Sequence, residues 1–268
     1  MTLAALTLSD IAVLPEAAWL ALAALLGLVF GSFITALSYR VPRGESIAAG
    51  RSQCPACNAA LTARDLVPVL SWAMTGGRCR ACGAGISWRY PATEILTAVV
   101  FASAVWREPR LLPLILLLAA AVLMITLAVI DLEHRRLPLS LLGVLAAVAA
   151  LYGWLSQGDD ALRGLITASG AVLIGLGIAA ASRHVLGTPL MGAGDAYSLA
   201  IGALMLPWMG FLIFLGLAGG LALAFGFTWR LAKHDALFPF GPAVFAALWL
   251  ALLVHENLAA LIQFGFVS

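Results

Sequence analysis

The sequence predicts an all-α polytopic membrane protein of about eight transmembrane helices, with one small zinc-ribbon-like polar module set between the first two. Three observations carry that prediction. Across 268 residues the chain is 63% hydrophobic and only 10% charged, with a mean hydropathy of +1.03, far too apolar for a soluble domain. The apolar residues fall into stretches of membrane-spanning length. All four cysteines are confined to one polar segment.

In chain order the spans are read at 16–39, 92–106, 111–130, 137–155, 164–182, 197–208, 210–231 and 242–264. The second and sixth are short for a hydrocarbon layer of about 30 Å. No Lys or Arg precedes Arg40, so the first span lacks the basic flank of a cleavable signal and is expected to stay. Three regions follow: residues 1–39 as N-terminus and first span, 40–91 as the cysteine module, and 92–268 as a seven-helix body.

Charge orients the spans. Arg40, Arg43, Arg51, Arg64, Arg78, Arg80 and Arg89 crowd the cysteine segment against only Glu45 and Asp65, and loops this basic stay in the cytoplasm. With alternating spans, Arg135, Arg136, Arg183, Arg230 and Lys233 join them inside. Of 15 Lys and Arg only Arg107, Arg110 and Arg163 are left outside, which puts the N-terminus in the periplasm. Trp106, Trp154, Trp208 and Trp229 fall near predicted helix ends, where interfacial aromatics belong. A net charge of +2 gives no case for a nucleic-acid partner.

The cysteines form two C-x-x-C pairs, Cys54-Pro-Ala-Cys57 and Cys79-Arg-Ala-Cys82, with 21 residues between them. In a reducing compartment that pattern points to four thiolates around a structural Zn²⁺, closed to water and supplying folding free energy to a loop with few large aliphatics. The alternative is four reduced or redox-active thiols.

Acidic residues are scarce, so two at the edges of apolar helices stand out. Asp131 closes the third span in Ala128-Val-Ile-Asp131, and Asp195 opens the sixth in Met191-Gly-Ala-Gly-Asp195. The plain alternative is that one ends a helix and the other caps one. Yet both reach the same membrane face, and Gly192 and Gly194 allow close backbone approach beside Asp195. A carboxylate pair sharing a proton and a water is the equipment of amide hydrolysis. No H-E-x-x-H, G-x-S-x-G or nucleotide-binding glycine loop competes. His134, His184, His234 and His255 read as solvated interfacial side chains, and Glu133 and Asp235 as loop charges. An ion-binding transporter or scaffold is the reading from a different class, and it lacks the expected inverted repeat.

The chain resembles the type IV prepilin peptidases, bifunctional intramembrane aspartic proteases marked by G-x-G-D. The likeness rests on Gly31-Ser32-Phe33, Tyr39-Arg40-Val41-Pro42, Pro68-Val-Leu-Ser-Trp72, Ile86-Ser-Trp-Arg-Tyr-Pro91 with Glu94, Asp131 through Leu137-Pro138, Gly192-Ala-Gly-Asp195 and Phe238-Pro-Phe-Gly-Pro242. Thr35, Leu139 and Tyr197 stand where many members carry Asn, Asp and Lys. The resemblance implies removal of the basic leader from prepilins or pseudopilins at the cytoplasmic face of the bacterial inner membrane, with Asp131 and Asp195 as the catalytic pair. It also implies methylation of the new N-terminal residue from S-adenosylmethionine near the cysteine module, with Glu94 as a candidate contact. A peptidase without the methyl transfer is the alternative; oligomeric state is not legible.

Overall fold

The computed structural model describes residues 6–11, 14–46, 52–187, 191–233 and 238–265. Arg51, His234 and Asp235 lie outside the described residues. The helices are α1 Leu8–Ile11, α2 Glu16–Arg40, α3 Leu70–Met74, α4 Arg89–Arg107, α5 Leu111–His134, α6 Leu139–Gln157, α7 Ala161–Leu186, α8 Ala193–Met205, α9 Trp208–Lys233 and α10 Gly241–Gly265. Among the described residues the only β pairing is in isolated bridges, such as Gln53 with Ala60 and Arg78 with Gly85.

All eight apolar stretches are helical. Six helices, α2, α5, α6, α7, α9 and α10, are long and apolar enough to cross a membrane. The other two are those the sequence marks as short. Helix α4 has 19 residues but carries Arg89, Glu94 and Arg107. Helix α8 has 13 residues, about 20 Å of rise, which falls short of the hydrocarbon thickness. The chain divides into two compact units, Met1–Thr126 and Leu127–Ser268, the boundary falling inside α5.

In the first unit α2 packs along α4. Gly27 and Gly31 lie one turn apart, the small-xxx-small spacing that lets helix backbones touch where lipid gives no hydrophobic drive to pair. A Cβ on Gly27 would stand 2.6 Å from Ala98 Cα, and one on Gly31 would run into the backbone of Glu94. Ile34, Phe101 and Ala104 fill the seam above, each at most 1% exposed. Gly31→Leu is expected to force the helices apart and cost about 3 kcal/mol. Detergent-titrated unfolding of the purified variant measures the loss.

In the second unit α8 lies against α6, α7, α9 and α10. Its neighbours reach it at glycines. Gly175 and Gly164 of α7 meet Ala196 and the Ala203 carbonyl, Gly153 of α6 meets the Leu204 carbonyl, and Gly202 makes room for the Phe214 ring. Ser198, Ile201, Ala203 and Met205 are accordingly buried. A short helix can sit in the interior because its flanks present almost no side-chain bulk.

Candidate functional site

Asp131 lies in the last turn of α5 and is 5% exposed. Its Oδ2 accepts the backbone N–H of Gly241 at 2.8 Å, across 110 residues of sequence. Gly241 is the first residue of α10, where N–H groups have no partner inside the helix and the helix dipole favours an anion. A Cβ at Gly241 would stand 2.9 Å from that oxygen and 3.2 Å from Asp131 Cβ, so any larger residue there presses on the carboxyl group. Pro242 follows, at a helix-start position that needs no N–H. Phe238 fixes the approach, its ring packed on Gly226 and edge-on to Phe225 at 6.2 Å, both on α9. The Phe238-Pro-Phe-Gly-Pro242 segment therefore aims one N–H at Asp131.

Asp195 sits in the first turn of α8. Its Oδ2 accepts the Gly192 N–H at 3.0 Å, and its own N–H donates to the Gly192 carbonyl at 3.2 Å. This is the acidic half of a capping box, so the carboxylate does help start its helix. Gly194 is required for a different reason: a Cβ there would stand 2.9 Å from the Leu137 side chain. Leu137 arrives because α5 ends in a left-handed residue, Arg135 at φ 52°, whose N–H returns to the Asp131 carbonyl at 2.8 Å. The turn after Asp131 thus lies on the glycine before Asp195.

Gly241, Arg135 and Leu137 stand in the sequence only as members of longer segments; their contacts with Asp131 and Gly194 are what the structure adds. Of the histidines, His134 and His184 are exposed. His255 departs from the expected solvated state: it is 8% exposed, packs over Gly210, and pairs Nδ1 with the Ala251 carbonyl at 3.0 Å.

In the first unit, the sulfur atoms of Cys54, Cys57, Cys79 and Cys82 lie within 4.8 Å of one another. Cys54 and Cys82 are 3.9 Å apart, close to the roughly 3.8 Å edge of a tetrahedron with 2.3 Å metal–sulfur bonds and far beyond a disulfide. Two matching turns build the cluster. Cys54 N–H bonds the Ala59 carbonyl and Asn58 N–H returns to Cys54; Cys79 N–H bonds Ala84 and Gly83 N–H returns to Cys79. Each turn needs a left-handed residue four after its first cysteine, supplied by Asn58 at φ 56° and Gly83 at φ 73°. The Ala56 and Cys57 N–H groups push the Cys54 thiol down to about 7. Cys82, although bonded by Ala84, is pushed up to about 11 by Cys57, burial, and the remaining sulfurs. One thiol ionises readily and the last resists, a mismatch that a bound dication removes. This cluster can hold a metal ion.

Asp65 ties the turn at residues 62–65 to the second cysteine turn. It takes the Thr62 N–H and hydroxyl and pairs with Arg80 Nε at 2.8 Å. The Thr62 bonds first, and Arg80 after them, hold its carboxyl below the usual carboxylate range. Trp72 on α3 donates Nε1–H to the Ile86 carbonyl at 3.0 Å and lies against Gly77.

Glu94, buried on α4, accepts the N–H of Val69 at 2.7 Å and a bond from Ser32. Val69 is held at φ 60°, unusual for a β-branched residue. Glu94 therefore clamps the Pro68–Val69 turn to α4 and α2. Beside the clamp is a cleft of about 300 Å³ walled by Ser32, Phe33, Arg40, Ser52, Leu66 and Pro68, among others.

Residues 25–108 match the bacterial peptidase A24 N-terminal domain, and residues 116–227 match the type IV leader peptidase family. A prepilin leader peptidase/N-methyltransferase of Myxococcus xanthus is 35% identical over 200 residues, 72% of this chain and 59% of that protein. One of Bacillus subtilis is 34% identical over 248 residues, 87% of this chain and 93% of that protein. A type 4 prepilin-like proteins leader peptide-processing enzyme of Escherichia coli is 34% identical over 210 residues, 68% of this chain and 76% of that protein. No solved structure matches the chain significantly. With both halves matched in order and a relative aligned over nearly its whole length, the chain belongs to the type IV leader peptidase family.

Proposed function

We propose that this protein is an aspartic endopeptidase of the bacterial inner membrane that removes the basic leader of type IV prepilins or pseudopilins and then methylates the new N-terminus. The observation that carries the reading is that the turn after Asp131 lies on the glycine before Asp195, Leu137 against Gly194, with each carboxylate accepting one backbone N–H. Peptide hydrolysis is assigned to residues 92–268 and metal binding to residues 40–91. The cysteine module faces the cytoplasm and the N-terminus the periplasm, so the leader stays in water while the substrate's apolar segment remains in lipid.

In the proposed reaction one carboxylate is ionised and the other protonated. The ionised group takes a proton from water as the oxygen attacks the scissile carbonyl carbon, and the protonated group hydrogen-bonds the developing oxyanion. The tetrahedral centre then collapses, the C–N bond breaks, and the amine leaves with a proton. Gly241 fixes where one carboxyl group stands. Gly241→Val places a branched side chain on Asp131 and is expected to lower the cleavage rate about 100-fold with the chain still inserted. Initial rates on a purified prepilin measure it.

Zn²⁺ is assigned to Cys54, Cys57, Cys79 and Cys82, whose all-sulfur set suits it and leaves no position for catalytic water. The methyl donor, S-adenosylmethionine, is assigned to the cleft beside Glu94, where Arg40 suits its carboxylate and Phe33 its adenine. That group supplies an electrophilic methyl; the chain's part is to hold it and the incoming amine. Co-expression with a candidate prepilin, followed by intact-mass analysis, tests both activities. The expected product lacks the leader and carries the mass of one added methyl group. Uncut prepilin overturns the proposal, and a cut, unmethylated product overturns its second half.

A further inference from the structure

One stretch of the cysteine module is unlike the rest. No charged residue stands between Asp65 and Arg78, and within that gap the run from Leu66 to Met74 is apolar but for Ser71. Its side chains are not packed away. Leu66 and Val67 are exposed, Leu70 is 56% exposed, and Met74, one turn on along the same face of α3, is 71% exposed. The tip of the run is strained. Val69 stands at φ 60° and ψ −49°, and Leu70 N–H turns back to the Pro68 carbonyl, the rare form of the γ-turn. A β-branched residue stays in that conformation only where its surroundings hold it.

The depth of the tip follows from what holds it. Val69 N–H donates to Glu94 Oε2 at 2.7 Å. Glu94 in turn takes a bond from Ser32 and lies against Gly31, both on α2. Ser32 is eight residues short of Arg40, the last residue of α2, and eight residues are about 12 Å of helix. A headgroup layer is about 5–8 Å deep on each side of the hydrocarbon. With Arg40 at the membrane surface, the Pro68–Val69 turn therefore reaches past the headgroups into the acyl chains. Leu66 and Pro68 line the descent, walling the same cleft as Val29, Phe33 and Leu37 of α2. Val29 and Phe33 are themselves exposed, on a helix long and apolar enough to cross the membrane. Backbone N–H groups need partners at such a depth. Those of Leu70, Ser71 and Ala73 go to the Pro68, Val67 and Val69 carbonyls, and Pro68 has none. The one at the tip, that of Val69, goes to Glu94.

We infer that Leu66–Met74 is a membrane-dipping hairpin, its exposed side chains seated among the lipid acyl chains of the leaflet on the module's side, with Glu94 as the positioning residue that fixes its tip. Lipid is the occupant of this apolar face because the face lies at hydrocarbon depth and continues the exposed face of α2. Charges resume on both sides of the run, at Arg64 and Asp65 before it and at Arg78 and Arg80 after it, where the chain returns to the headgroups. A carboxylate set this deep in a membrane is costly and marks a function. Here it holds one wall of the cleft in place, and it does so through a backbone bond, not by touching what the cleft binds. The inference rests on α2 crossing the membrane and on neither proposed activity.

Two measurements test it, both on the full chain in vesicles of phosphatidylethanolamine and phosphatidylglycerol, with and without bromine on the acyl chains. A fluorescent amino acid is placed at Leu70, or at Ala81, an exposed residue of the second cysteine turn. Bromine quenches on contact, so position 70 is expected to lose its fluorescence in the brominated lipid and position 81 to keep it. Any other pattern overturns the hairpin. The second measurement repeats the quenching at position 70 in Glu94→Gln and Glu94→Ala, with a fluorophore at Val29 of α2 reporting that the helix stays in lipid. Glutamine keeps an oxygen for the Val69 N–H and is expected to leave the quenching as in the wild type. Alanine supplies no acceptor and is expected to abolish it at position 70 alone. Loss in both variants, loss in neither, or loss at Val29 as well overturns the positioning role. Quenching needs no turnover, so a chain that neither cuts nor methylates prepilin still decides the inference.

Discussion

Asp131→Asn and Asp195→Asn are each expected to abolish leader cleavage, by on the order of 10⁴-fold, while the chain still inserts and keeps its metal. Asparagine matches the shape of aspartate and its carbonyl can still accept the Gly241 or Gly192 N–H, so the backbone geometry around each position is preserved. What is lost is the ability to hold or release a proton. In the proposed mechanism the two groups divide one proton between them, so neither covers for the other. The double variant should be no worse than either single one, since residues acting as a unit lose their whole contribution at the first substitution. Quantified cleavage of a purified prepilin by the wild type, both singles and the double checks this.

The second large effect belongs to the cysteine cluster. Cys79→Ser removes one of the four sulfurs and leaves the backbone bonds of its turn, the N–H to Ala84 and the carbonyl to Gly83, in place. Structural zinc supplies about 10–16 kcal/mol to small modules of this kind, far more than Asp65, Arg80 and Trp72 can hold together alone. Metal analysis should show equimolar zinc in the wild type and little in the variant. Limited proteolysis should cut the variant between the two cysteine pairs, and methylation of prepilin should fall with it. A zinc-free variant that methylates fully would contradict the assignment.

The apolar helices, and the places of Asp131 in the last turn of α5 and Asp195 in the first turn of α8, are legible because the chemistry that selects them is local. An apolar run is visible in isolation, and so is an acid at its edge; α8 even showed its shortness, whereas α4, read as short, runs to 19 residues. What could not be read is which face of each span packs. In lipid the outside of a bundle is as apolar as the inside, so a helix such as α7 shows no polar stripe to mark its exposed side. The helix contacts at Gly153, Gly164 and Gly175 were hidden for that reason. His255 reads as solvated on the same ground, since a lone imidazole on an apolar helix carries no sign of its partner four residues back. Gly241 was invisible as a ligand of Asp131 because its role is a backbone N–H delivered from 110 residues away. The first glycine of G-x-G-D has a local cause in the capping bond of Asp195, while the second answers to Leu137, distant in sequence.

The dependence of kcat/KM for prepilin cleavage on pH tests the shared proton most directly. A pair that works with one group protonated and one ionised predicts a bell, whose acid limb reports ionisation of the base and whose alkaline limb reports loss of the acid's proton. A profile with a single limb, or one flat across the range in which the protein stays folded, would contradict the account.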